Sequence, residues 1–469
     1  MVGHLTPAAA GTGDEAITSL VGHLRALLRL RTVNPPGDEI VAASYLAGVL
    51  AGAGIATRVL EPFPGRGDVV ARLRGDGSGG RPLLLLGHLD VVPADAARWT
   101  HDPFGGDLDD GYLYGRGAVD MKSMVAMSLQ VMLDLAADAT AAGRDPARDA
   151  IPGLRRDVIF AATADEETGG LLGAGWLVDH EPDLLRAEAC LTEAGGVSVQ
   201  VGSVRLYPIQ VAEKGYHRMR ITVRGAAGHA AMPRTDSAAV RAARLVDQLA
   251  VPTPQRITPL MRRALEQVAT AIPSAAAAVR RIGAATDTAT GLAAIDELCR
   301  EPERRALKAL LRDTISPTII HAGLKENVLP GTAEVVVDCR QLPGTTAAQT
   351  EALVAAQVDP DLWRDCSTEV LSHGEPVEQP LDHPLLALLG EVLRAHDSAA
   401  VPLPLLAPFA TDAKHTVRLG IPTYGFSPLR LDPDEPFLEH FHGDDERVAV
   451  EALRWGYPVL AEVVRRYCG

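Results

Sequence analysis

The stretch from Arg81 to Ala94, RPLLLLGHLDVVPA, limits the folds open to this chain more than any other. Four consecutive leucines, Leu83 to Leu86, leave no polar face. The segment therefore reads as a strand covered on both sides, the habit of interior strands in sheets flanked by helices. It ends on His88 and Asp90, separated by one leucine. Alternate side chains of an extended chain point the same way, so an imidazole and a carboxylate share one side where the strand stops.

The pattern around this strand is one of strands and helices in turn. Ile17, Leu20, Val21, Leu24, Leu27 and Leu28 form one stripe of an amphipathic helix, and a second helix is predicted over about Glu39 to Ala53. DMKSMVAMSLQVMLDLAAD reads as a helix, DVIFAATADEE and AEACLTEAGG as strands with exit loops, and the Pro/Gly-rich segment AADATAAGRDPARDAIPGLRRD as a surface loop. This predicts an α/β layer on a parallel or mixed sheet. From about Pro208 the rhythm changes. Setting aside a long Ala/Arg-rich helical insertion at about 253–313, the order becomes βαββαβ, a two-layer, ferredoxin-like sandwich of its own. A helix at HPLLALLGEVLRAH, a strand at GIPTYGF and a closing helix from Glu446 complete the chain. The expected organisation is a larger domain in two parts, 1–207 and 379–469, interrupted by a smaller one at 208–378.

With 469 residues the chain is too long for one ordinary core. Its formal net charge of −15 argues against a nucleic-acid partner, which needs a basic face. Five scattered cysteines without CxxC spacing read as free thiols of a reducing compartment. The N-terminus lacks the basic and apolar regions of a secretory signal, and no apolar run approaches the roughly 18 residues of a membrane span. The expectation is a cytoplasmic protein with no membrane partner.

In an open α/β sheet, ligands bind beyond the carboxyl ends of the strands. This chain places there His88 and Asp90, then Asp120 of YGRGAVDMK, Glu166 and Glu167 after VIFAATAD, Glu193 after ACLT, and His442 of EHFHGDDERV. Each alone has an ordinary explanation; Asp120 could cap the helix that starts near Met121. Together, such a collection, with its carboxylates gathered at one sheet edge, would repel itself unless cations were present. Nitrogen and oxygen donors without thiolate suit catalytic zinc, and three carboxylate ligands nearly balance two such ions, with Co2+ or Mn2+ as possible substitutes. Asp90 can accept the second ring N–H of His88 and fix its tautomer. Neighbouring Glu166 and Glu167 diverge, so one can bind metal while the other takes a proton from water. GRGAVD begins like a dinucleotide loop, but Asp120 stands where the third glycine belongs.

The series GHLDVVPA, DPFGG, DGYLYGRGAVDMK, ADEETGG, EAGG, GHAAMP, ENVLPG, DCRQLPG and FHGDDE, in this order from about Thr32 to the end, resembles the di-zinc aminoacylase / glutamate carboxypeptidase family. That family includes acetylornithine deacetylase, succinyl-diaminopimelate desuccinylase and several dipeptidases. The resemblance implies one metal site completed by His88 and Glu193, another by Glu167 and His442, Asp120 bridging them, Glu166 as general base and Asp90 orienting His88. It also implies a cis peptide after Asp120, and an inserted lid and dimerisation domain, hence a homodimer. His229 of GHAAMP would polarise the scissile carbonyl, and Asn327 and Arg340 would hold the substrate's carboxylate. The roughly sixty extra residues in the lid resemble the larger vacuolar-carboxypeptidase-like and acyl-amino-acid members. The expected activity is hydrolysis of an amide or peptide bond beside a free carboxylate, in a small dipeptide or N-acyl amino acid. A biosynthetic deacetylase or desuccinylase is the alternative, and a binding protein without activity a more distant one.

Overall fold

The computed structural model describes residues 13–469 apart from 300, 302 and 434. The leucines Leu83 to Leu86 are buried in the strand Leu83–His88. This strand lies between Val158–Thr163 and Ala189–Thr192, parallel to both. Thr423–Gly425 continues the parallel block beyond Ala189–Thr192. Arg66–Leu73 and Thr57–Phe63 add antiparallel strands at one edge, and Val204–Glu213 pairs antiparallel at the other. The sheet is mixed, as the alternation of elements predicted.

Both faces are covered. Leu84 and Leu86 join Val70, Ile159, Ala161 and Cys190 in packing against Leu177, Val178 and Leu185. Lys122–Ala141 and Val450–Cys468 also pack on the leucine strand. Each leucine so enclosed contributes about 1.5–3 kcal/mol, which is why this strand admits no polar residue before His88. The five cysteines are free thiols.

Three local readings are corrected. The closing helix starts at Val450, not Glu446, because Arg447–Ala449 pair with Tyr112–Tyr114 in a small three-stranded sheet with Asp107–Asp109. Helix Lys122–Ala141 extends into the segment read as a surface loop. It is also long and apolar enough, by length and composition, to cross a bilayer. Interspersed Ser, Gln and Asp residues break its apolar run without making it polar on average, and 67% of its apolar window is buried.

The chain divides into two compact units. One comprises 1–211, 379–403 and 411–469; the other comprises 212–378 and 404–410. In the second, Thr314–Ala322, Thr332–Gln341, Gly215–Arg224 and Cys366–Gly374 form an antiparallel sheet in that spatial order. Helices Ala238–Leu249 and Ala347–Gln357 supply Leu245, Leu249 and Val354 to a core with Ile221, Val223, Val335 and Val337. Residues alternating with these on the strands are charged and paired: Arg218 with Asp338 at 2.9 Å, Arg220 with Glu369 at 2.7 Å. The helical insertion consists of Pro259–Ala271, Ala276–Ala284, Thr288–Leu298 and Glu303–Leu310.

Candidate metal centre

The parallel strands end together, and their ends carry the titratable residues. His88 closes its own strand, Glu193 follows Ala189–Thr192, and Glu166 and Glu167 follow Val158–Thr163 in a one-turn 3-10 helix. Asp120 and His442 arrive on loops joined by the small sheet that pairs Arg447 with Tyr114. The result is two groups of three donors, His88, Asp120 and Glu193, and Asp120, Glu167 and His442, each within 4.8 Å. Asp120 belongs to both. Its Oδ1 lies 3.0 Å from His88 Nε2 and its Oδ2 lies 3.4 Å from His442 Nε2. Glu193 Oε2 stands 3.6 Å from His88 Nε2, and Glu167 Oε2 stands 3.2 Å from His442 Nε2. His440, two residues upstream, instead pairs with Glu435.

The rival account of Asp120 as a helix cap has no support, since the helix Lys122–Ala141 has Met121 at its N-cap and no side-chain capping bond. The loop is held by a carboxylate that sequence reasoning passed over. Glu446, fully buried, accepts from Val119 N (2.7 Å) and Asp120 N (3.1 Å) on Oε1, and from Arg116 Nη1 (2.7 Å) and Gly117 N (3.0 Å) on Oε2. The Asp120–Met121 peptide is cis.

Asp90 does more than its spacing suggested. His88 Nδ1 is nearer the Asp90 backbone carbonyl, at 3.0 Å, than its carboxylate, at 3.4 Å. The carboxylate accepts the backbone N–H of Glu166 on one oxygen and of Glu167 on the other, both at 3.1 Å. Asn34 Nδ2 donates to it at 2.8 Å, and Arg66 braces Asn34 and Asp165 from behind. Asp90 thus fixes the ring of His88 and the start of the glutamate turn together.

The electrostatics are those of anionic donors crowded into a buried place. Burial and the Asp120 charge push the Glu193 carboxyl well above its ordinary range, and the same two causes, partly opposed by His442, raise Glu167. Burial works against a charged His88, yet Glu193 and hydrogen bonds to Asp120 and Asp90 hold its pKa well above the usual value. Hydrogen bonds to Asp120 and Glu167 raise His442 to about 10. Positive charge is what these side chains ask for. Glu167 Oε1 is buried with no hydrogen-bond partner, a costly state for a carboxylate oxygen unless a cation meets it. Nitrogen and carboxylate donors, a shared aspartate and an unpartnered oxygen fit a pair of divalent cations.

The remaining expected residues lie in the other unit. His229, exposed, sits in a two-residue pairing in which Val328 is its partner, with Asn327 O accepting from Ala230 N at 3.0 Å. Arg340 lies on Thr332–Gln341, its guanidinium held by Asp338 through Nε at 2.6 Å and Nη2 at 3.3 Å.

Comparison with known proteins adds an independent line. The family model described as peptidase family M20/M25/M40 matches residues 84–466. The N-fatty-acyl-amino acid synthase/hydrolase PM20D1 of Bos taurus is 29% identical over 84% of this chain and 75% of its own length. An acetylornithine deacetylase of Erwinia tasmaniensis is 25% identical over 87% of this chain and 86% of its own. The crystal structure of human carnosine dipeptidase 1 shares the fold with a TM-score of 0.68, at 15% identity, covering 99% of this chain and 100% of that one.

Proposed function

The chain belongs to peptidase family M20/M25/M40, and from that premise we propose that it hydrolyses an amide or peptide bond beside a free carboxylate, in a dipeptide or N-acyl amino acid, with two zinc ions. The observation that carries this reading is the pair of three-donor groups sharing Asp120. His88, Asp120 and Glu193 would hold one ion; Asp120, Glu167 and His442 would hold the other. When bound, the pair acts as a Lewis acid toward the substrate carbonyl and the attacking water.

The chain's own residues do the rest. Asp90 holds His88 by Nδ1, leaving Nε2 for metal. Glu166 takes a proton from the attacking water at its carboxylate as the C–O bond forms. It returns that proton to the leaving nitrogen as the C–N bond breaks, so the glutamate ends as it began. His229 is assigned the polarising of the carbonyl, and Asn327 and Arg340 the holding of the substrate's carboxylate. These three assignments rest on the motifs GHAAMP, ENVLPG and DCRQLPG. An arginine fork suits a planar carboxylate. The inserted unit is assigned the pairing of two copies.

The test is elemental analysis of the purified protein together with turnover of dipeptides, N-acyl amino acids and N-acetylornithine. Two zinc ions per chain and hydrolysis abolished by a chelator are expected. Turnover confined to N-acetylornithine would favour the biosynthetic alternative, which the deacetylase likeness keeps in view. A protein that holds no metal and gains no activity when metal is added would overturn the proposal.

A further inference from the structure

We propose that Lys414 is a positioning residue for Glu166, holding one oxygen of the general base so that the other stays free to carry the proton. This rests on the reading of Glu166 given above.

The short helix Ala413–Thr416 is fastened to the glutamate turn on both sides of Lys414. Before it, Thr163 Oγ1 donates to Asp412 Oδ2 at 3.1 Å. After it, His415 Nε2 lies 2.9 Å from the Gly169 carbonyl. Asp412 and His415 are both buried. Close approach here needs glycine: a Cβ on Gly170 would come within 2.9 Å of His415 Nε2, and one on Gly175 within 3.0 Å of His415 Cε1. Between these fasteners the Lys414 ammonium donates to Thr411 O at 2.9 Å and to Glu166 Oε1 at 3.2 Å. Both charged side chains are 11% exposed.

The arrangement answers a problem set by the sequence. Glu166 adjoins Glu167, a residue assigned to a cation, and a free carboxylate so near two cations would tend to become another ligand. An ammonium is a compact charge with three donors. Placed on Oε1, it competes with the cations for that oxygen and leaves Oε2 for the proton. The Glu166 backbone is already fixed, since its N–H donates to Asp90. Lys414 supplies the matching restraint at the far end of the side chain.

The experiment compares Lys414→Met, Lys414→Gln and Lys414→Arg with the natural chain, on whichever dipeptide or N-acyl amino acid of the panel it turns over fastest. Each Lys414 change is also combined with Glu166→Gln. Expected for Met and Gln is a kcat lower on the order of 10²-fold, KM within about twofold, and two zinc ions per chain by elemental analysis. Arg should restore at least about a tenth of the lost rate, and in the Glu166→Gln background the Met change should cost nothing further. A crystal structure of Lys414→Met should show the Glu166 carboxylate in a new position. The inference falls if the Met and Gln variants keep kcat, if KM rises instead, if zinc is lost, if the losses multiply in the double variant, or if Glu166 has not moved. Full turnover in Glu166→Gln alone would sink the general-base reading; a dead Glu166→Gln beside a fully active Lys414→Met would sink only this inference.

Discussion

Replacing Glu446 by glutamine tests the support of the candidate metal centre without touching a donor. The two side chains have nearly the same shape, but glutamine offers one acceptor oxygen where glutamate offers two. Four donors meet the Glu446 carboxylate, in two pairs. The amide oxygen will turn to Arg116 and Gly117, because Arg116 is buried and charged. Its NH2 then faces the N–H groups of Val119 and Asp120, and both lose their acceptor. Two buried donors left unmet cost about 1–3 kcal/mol each. Removing one charge of a buried pair costs about 3–5 kcal/mol on its own. Since the two penalties share atoms, the expected loss is about 4 kcal/mol. The assay is urea unfolding of the metal-free protein followed by tryptophan fluorescence, with Trp99 as a local reporter because the Arg116 guanidinium lies 5.3 Å from its ring centroid. A zinc titration runs beside it, where the released Asp120 loop should weaken uptake. A variant within about 1 kcal/mol of the natural chain that still binds two ions tightly would refute the view that Glu446 holds this loop.

Three further outcomes are expected. Glu166→Gln should keep both metal ions and lose roughly 10²- to 10⁴-fold in kcat, whereas Glu167→Ala should lose an ion by elemental analysis; the reverse result would exchange their roles. His415 carries a pKa pushed down to about 4 by burial. As pH falls, the unfolded chain therefore takes up its proton first, near 6.5, and folded-state stability drops between that pH and about 4 by roughly 3 kcal/mol. Urea midpoints of His415→Gln should lack this component, and a variant with the natural pH dependence would contradict it. Arg340→Lys should raise KM for carboxylate-bearing substrates about 10- to 100-fold with kcat little changed, which steady-state kinetics would reveal.

What the sequence disclosed follows from how local each signal is. The buried strand and the pairing of His88 with Asp90 were legible because alternation along a strand is a rule of adjacent residues. Asp120, Glu167, Glu193 and His442 were legible only as a set, through the rule that strand ends in such sheets face the site. Glu446 was not. It closes the run Asp444-Asp445-Glu446, and nothing in three consecutive acids says that Asp444 pairs with Arg98 and Asp445 with Thr100 N while the third turns inward. Lys414 and His415 were hidden for a similar reason, since their partners Glu166 and Gly169 lie some 250 positions earlier. The carboxylate of Asp90 was half legible. Its neighbour His88 was foreseen, its bonds to the glutamate backbone were not. His229, Asn327 and Arg340 came from family likeness, because an exposed turn and a strand end carry no local mark of chemistry.

Two oxygens on a single aspartate touch two different imidazoles, and this makes the centre unequal in how it can be dismantled. Under the proposed assignment, losing His442 or Glu167 would spare the triad on the other side, so a descendant with one ion would lie a single codon away. Losing Asp120 removes the hinge pin common to both, and no step through partial occupancy intervenes. Mutational drift in relatives of this chain should therefore erode the outer histidine long before the aspartate.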